Sequence, residues 1–213
     1  MASFSFPGYI FNMRNEVVND YFAPHARKDG IVLQPTLLQP YSSGWVRLRS
    51  DDPADPPIIN HRLLSDERDV ARLIEGCKLV HKIGETKSMK EKLSAEPLPN
   101  TLPGCKQFQL MSEKYFDCLV RTLTFTMFHG CCTAKMGSLH DKMAVVDSEL
   151  RVRGVNNLRI VDASVMPEIV SGNTNAPVIA IAERAADLIK GKTLKRSRPP
   201  IDDEIYLLKY DDY

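Results

Sequence analysis

Apolar residues recur at helical spacing from Val70 through Leu73, Ile74, Cys77, Val80 and Ile83. That recurrence marks one buried face of an amphipathic helix. Ser65 stands where a cap belongs, and Asp66 and Glu67 fall in the first turn, where the helix dipole favours acids. Gly84 follows as a stop, so the pattern predicts a helix over 65–83. A second helix is expected from Ser112 to Leu123. A third opens at Pro177 and runs through Ile189, with Asn175 as its cap and Gly191 beyond its end. Other stretches read as extended. Val32 to Leu38 is apolar and β-prone. Gly44 to Arg49 alternates apolar and charged residues, the signature of a half-buried strand. The prolines and aspartates of 51–57 make a turn, after which Ile58 and Ile59 resume an extended segment. Leu123 to Phe128 alternates again. Ala144–Val146, Leu150–Arg153 and Leu158–Val161 are short and β-like. Residues 84–108, with Pro97, Pro99 and Pro103, read as a long loop around a short helical piece.

Composition changes little in this picture. The chain has 213 residues, 43% hydrophobic and 26% charged, enough for one domain with a core or at most two small ones. A formal net charge of +1 gives no global field for nucleic acid or anionic lipid, so no nucleic-acid partner is expected. No window approaches the roughly 18 consecutive apolar residues of a membrane span. The first residues lack a basic segment followed by an apolar core, so no secretory signal is read, and localisation stays open. Residues 1–30 read as irregular. The last 21, basic and then acidic and tyrosine-bearing, read as a disordered tail over 193–213. The five cysteines leave at least one unpaired. None has zinc-site spacing, and no metal site is expected. Small thiols are the favoured reading over disulfides, and the neighbours Cys131 and Cys132 rarely bond each other.

Three places invite chemistry. His129 ends an alternating apolar stretch and is followed by Gly130 and small residues. A neutral imidazole there suits a general base near physiological pH, although a lone histidine is more often structural. The run Ser171-Gly172-Asn173-Thr174-Asn175-Ala176-Pro177 leads into the third helix. Its first turn offers unpaired N–H groups and a partial positive charge that favour an anion; a plain capped helix is the simpler reading. Asp162 ends a β-like run before Ala163 and Ser164, a common place for ligand contact and equally for a turn.

Taken together these features are more specific. FHGCCTAKMG, followed by VVDSELRVRGVNNLRIVDASVMPEIVSGNTNAPVIAIAERAADLIKG, resembles the C-terminal region of glucose–methanol–choline (GMC) oxidoreductases, the insect glucose dehydrogenase-like branch above all. The segment from Ser42 to Ile83 is similar to that family's substrate domain. The resemblance implies an α+β fold: a mainly antiparallel sheet with the helices over 65–83 and 111–122 on one face, spanning 31–157. A strand–helix unit over 158–192 then belongs to an FAD-binding domain, and Ile160, Val178 and Ile181 are expected to expose apolar surface. It also implies oxidation of CH–OH groups of an alcohol or sugar, with hydride transfer to FAD. His129 and Asn173 match the paired catalytic positions. Asp162, Ala163, Thr174, Asn175, Ala176 and Pro177 match positions along the cofactor.

Two departures qualify this. Gly130 stands where the family has proline, and Cys132 where it has glycine, so the loop after His129 is expected to be looser or bulkier. A GxGxxG dinucleotide fingerprint is absent from these residues. The resemblance therefore implies a C-terminal fragment whose FAD-binding half is missing, inactive alone. The alternative is a non-enzymatic remnant or binding domain.

Overall fold

The computed structural model describes residues 11–26 and 28–192; the tail expected over 193–213 lies outside the described residues. The chain divides into two compact units, Met1–Thr133 with Glu168–Thr174, and Ala134–Pro167 with Asn175–Tyr213. It is of α+β type: four α-helices, one small antiparallel sheet and several short helical turns among the described residues.

The first unit is organised by two helices, α2 (Glu67–Gly84) and α3 (Glu113–Leu123). The cap of α2 is Asp66, not Ser65: its carboxylate accepts the backbone N–H of Arg68, while the amide of Ser65 is spent in a turn onto the Arg62 carbonyl. Ser112 caps α3 by accepting from the Tyr115 N–H at 3.2 Å. The stripes of both helices meet in one core of Val70, Cys77, Leu102, Cys105, Tyr115, Phe116 and Val120. Ion pairs bridge the helices at its margin, Lys78 to Glu113 at 3.0 Å and Arg121 to Glu67 at 2.6 Å. Val17, in the short helix α1 (Asn15–Val17), inserts into the same core. Two further helical turns follow α1 as far as His25, so this part of the segment read as irregular is ordered. Asn100 fastens it, its Oδ1 accepting from His25 Nε2 at 2.8 Å and its Nδ2 donating to the Tyr21 carbonyl at 3.0 Å. Burial, with Tyr115 beside it, pushes the Tyr21 phenol well above its usual range.

The sheet is smaller than the alternation suggests. Strand β1 (Trp45–Arg47) pairs antiparallel with β2 (Ile58–Asn60), Val46 opposite Ile59. Gly44 lies so close to β2 that a Cβ there would meet the Asn60 carbonyl oxygen at 2.1 Å. The ribbon is not half-buried: Val46 and Ile59 are 48% and 57% exposed. A two-stranded ribbon is marginal alone and needs a further layer on its apolar face. Val32 to Leu38 and Leu123 to Phe128 form no strand at all. The ribbon is tied to α2 through Asp69. This carboxylate is 1% exposed and accepts the N–H groups of Tyr41 and Ser42 at 2.9 and 2.7 Å. Burial alone would raise its pKa, but the hydrogen bonds from Ser42 and Tyr41 outweigh burial and hold the carboxyl below the usual range.

Cysteine pairing corrects the thiol reading. Cys105 and Cys118, with Cα atoms 5.9 Å apart, form a disulfide that ties the loop before α3 to α3 itself. Cys131 and Cys132 are also paired, against the expectation for neighbours, with Cys132 in the left-handed region at φ 74°. Cys77 is the free thiol, buried, and burial raises its pKa.

The second unit packs Val146, Leu150 and Val165 against Ala185 of helix α4 (Asn175–Ile189). The three β-like segments expected here make only isolated bridges, Met136 with Val146, Val146 with Val152, and Arg151 with Arg159. Tight turns interrupt them. Leu150 and Asn157 sit at φ 64° and 59°, and Asp147 accepts the N–H groups of Glu149 and Arg151 across the first turn. Ile160 and Ile181 pack against this core and Val178 is half-buried, so the apolar exposure expected of them is not found. It falls on Ile179 and Ile189 instead, which are 55% and 63% exposed.

Candidate active site

His129 sits in the irregular chain that leaves α3, and the backbone around it is unusual. Phe128 immediately before it has φ 61°, and Cys132 three residues on has φ 74°. Bulky residues adopt this region rarely and only where the surroundings hold them there, a pattern that clusters at functional sites. Phe128 is held by its N–H, which donates to Thr126 Oγ1 at 3.0 Å, and by its ring, 5.8 Å from that of Phe11. Gly130, the departure from proline, is not one of the left-handed positions, and a Cβ there would meet nothing within 4 Å. The bulk expected in this loop falls on the Cys131–Cys132 pair.

The segment Glu168–Thr174 returns to this unit and brings two side chains to His129. The Nε2 atom of His129 lies 3.1 Å from Asn173 Oδ1, across 44 residues of sequence. Its Nδ1 atom lies 3.0 Å from Thr174 Oγ1. Both ring nitrogens are thus engaged, and the ring plane is set from two sides. The imidazole is half-buried and Asn173 is exposed, so the pair opens to the surface. An imidazole beside a carboxamide is equipped to remove a proton from a hydroxyl while a second group holds the same oxygen.

Asn173, rather than Asn175, is the partner of His129; Asn175 is the first residue of α4 instead of its cap, and Pro177 falls in the first turn. Asp162 Oδ1 accepts from the Ser164 N–H at 2.8 Å and also meets the Ser164 hydroxyl, capping the 3-10 turn Ala163–Val165. Asp162, Ala163, Asn175, Ala176 and Pro177 all belong to the second unit, whereas His129, Asn173 and Thr174 belong to the first. The contact of Thr174 with His129 was not legible in the sequence. The one available signal was a hydroxyl side chain adjoining Asn173, a feature too common to point at a distant histidine.

Residues 40–182 match the family model described as GMC oxidoreductase. The chain is 40% identical over 186 residues to the glucose dehydrogenase (FAD, quinone) of Drosophila pseudoobscura pseudoobscura, a match spanning 87% of this chain and 29% of that protein. It is 45% identical over 151 residues to the mitochondrial choline dehydrogenase of Homo sapiens, covering 71% of this chain and 24% of that one. Among solved structures, pyridoxine 4-oxidase from Mesorbium loti superposes with a TM-score of 0.61 at 30% identity, covering 74% of this chain and 29% of the other. The match over residues 40–182, with these relatives, identifies a GMC oxidoreductase C-terminal domain. The chain belongs to the GMC oxidoreductase family, and it spans less than a third of the length of these relatives.

Proposed function

We propose that this chain supplies the alcohol-handling part of an FAD-dependent oxidoreductase acting on CH–OH groups of an alcohol or sugar. The observation that supports this reading most is the approach of His129 to Asn173 at 3.1 Å across 44 residues. In the proposed reaction His129 Nε2 takes the hydroxyl proton of the substrate, and the Asn173 carboxamide holds the same oxygen as negative charge develops on it. Phe128, exposed beside the pair, offers an apolar surface to the carbon skeleton. FAD, when bound, supplies the acceptor for the hydride that leaves the carbinol carbon.

The residues present fit such a cofactor. The first turn of α4 leaves the N–H groups of Asn175 and Ala176 without helical partners, which suits an electron-rich edge. Asp162 and Ala163, with Thr174, Asn175, Ala176 and Pro177, are the residues we assign to holding it. The Thr174 hydroxyl is engaged by His129, so its backbone is what remains for that purpose. Residues 158–192, with α4, are read as the strand–helix piece of this chain that belongs to an FAD domain, and 31–157 as the substrate domain. The matched relatives extend well beyond the segment this chain covers, and the remaining FAD contacts are assigned to that further length.

The test uses this segment joined to an FAD-holding half. His129→Ala is expected to slow reduction of the bound flavin by alcohol by about 10²–10⁴-fold while the flavin absorbance stays. Unchanged reduction would refute the assignment of the base, and a joined protein that stays colourless with added FAD would refute the cofactor.

A further inference from the structure

The two contacts of His129 differ in what they permit. Asn173 Oδ1 only accepts, so a hydrogen bond at 3.1 Å requires the hydrogen to be on Nε2. The other nitrogen, Nδ1, then carries a lone pair and accepts from the Thr174 hydroxyl at 3.0 Å. In that tautomer Nε2 has no lone pair with which to take a proton. A base at Nε2 needs the opposite tautomer, with Nδ1 protonated and its hydrogen given to an acceptor. A hydroxyl is the one kind of neutral partner that serves both states, because it donates to the lone pair and, rotated about its C–O bond, accepts from the N–H. No other side chain is in hydrogen-bonding contact with Nδ1 among the described residues.

We propose that Thr174 is the positioning residue of the His129 imidazole, holding the ring while its hydroxyl follows the proton between the two tautomers. This rests on the reading of His129 as the base, and it assigns Thr174 a task apart from the cofactor. When Nε2 takes the alcohol proton, both ring nitrogens become donors: Nε2–H faces the substrate oxygen and Nδ1–H is accepted by Thr174 Oγ1. The proton count balances, since the proton lost by the hydroxyl is the one gained at Nε2. The half-buried setting of both residues shields this bond from competing water more than the exposed Asn173 contact is shielded.

The ring can be read directly in this chain without activity. With ¹⁵N-labelled histidine at about pH 9, above the ordinary histidine range, the two ring nitrogens of His129 are resolved by long-range correlation to the ring protons. They are identified by their loss in His129→Gln. The expected wild-type pattern is one nitrogen protonated and one hydrogen-bonded as an acceptor. In Thr174→Val the Nδ1 signal should lose its hydrogen-bond shift and move toward the position of a free lone-pair nitrogen, and in Thr174→Ser it should return. Nitrogen signals unmoved in Thr174→Val, with the other four histidines also unmoved, would overturn the proposal. If the valine variant disturbs the other histidines, Thr174→Ala poses the same question with the same two outcomes. In the joined flavoenzyme, Thr174→Val should lower the flavin-reduction rate about tenfold with little change in substrate affinity, and serine should restore it. A full rate in the valine variant counts against the positioning role and leaves the assignment of His129 as base untouched.

Discussion

The helix pair α2–α3 and the loop around His129 lie in the same unit and are held by opposite means. The helices are held by area: Tyr115, Phe116, Val70 and Val120 are all below 10% exposed, and the caps and ion pairs only trim the ends. The site is held by a few directional contacts, two hydrogen bonds to one imidazole and two left-handed residues beside it. Burial has no preferred direction and tolerates small shifts. A tautomer, a hydroxyl and a carboxamide tolerate little. Stability and chemistry should therefore separate cleanly on mutation.

The largest effect on stability should come from Phe116→Ala, which removes a side chain 6% exposed at the centre of the helix contact. We expect a loss of about 3–5 kcal/mol in urea unfolding. A loss as small as that from an exposed site would show that the helices do not share one core. His129→Ala, by contrast, should change the unfolding midpoint little, since its ring is half-buried and its contacts are few. A large destabilisation there would erase the distinction.

Asp69 gives a smaller and pH-dependent effect. Its carboxylate accepts two backbone N–H groups, and an amide in its place turns a donor toward one of them. Asp69→Asn should cost about 1–3 kcal/mol at neutral pH. Because the folded state holds this carboxyl below its ordinary range, the stability it contributes is complete above about pH 4 and is lost as the pH falls below that. The variant should accordingly lose less than the wild type between neutral pH and about pH 3 in parallel melts. Equal acid sensitivity would mean that another carboxyl dominates the acid limb.

What could be read from the sequence follows the same division. Helices α2 and α3 repeat their apolar positions, and the residues that cap them sit within one or two positions of the expected starts. Ile58 and Ile59 were readable as an extended segment resuming after a proline-rich turn, whereas their pairing with Trp45–Arg47 is visible only in the structure. The sheet was overestimated because alternation reports a face that wants cover, and Val46 and Ile59 find little within this chain. His129 and Asn173 were legible through family resemblance rather than periodicity, since each lies in irregular chain where spacing has no period. The Cys105–Cys118 bridge and the hydroxyl of Thr174 on Nδ1 depend on where distant loops arrive, which no local pattern encodes.

The central claim is that His129 and Asn173 act together on one oxygen, and a double-mutant cycle on flavin reduction tests it most directly. In the joined flavoenzyme, rate constants for reduction of the bound flavin by alcohol without oxygen are measured for His129→Ala, Asn173→Ala and the double variant. Residues that act as a unit are strongly non-additive. The double variant is expected to fall within about threefold of His129→Ala alone. Losses that simply multiply would mean that the two side chains work independently, and the contact between them would then have no part in the chemistry.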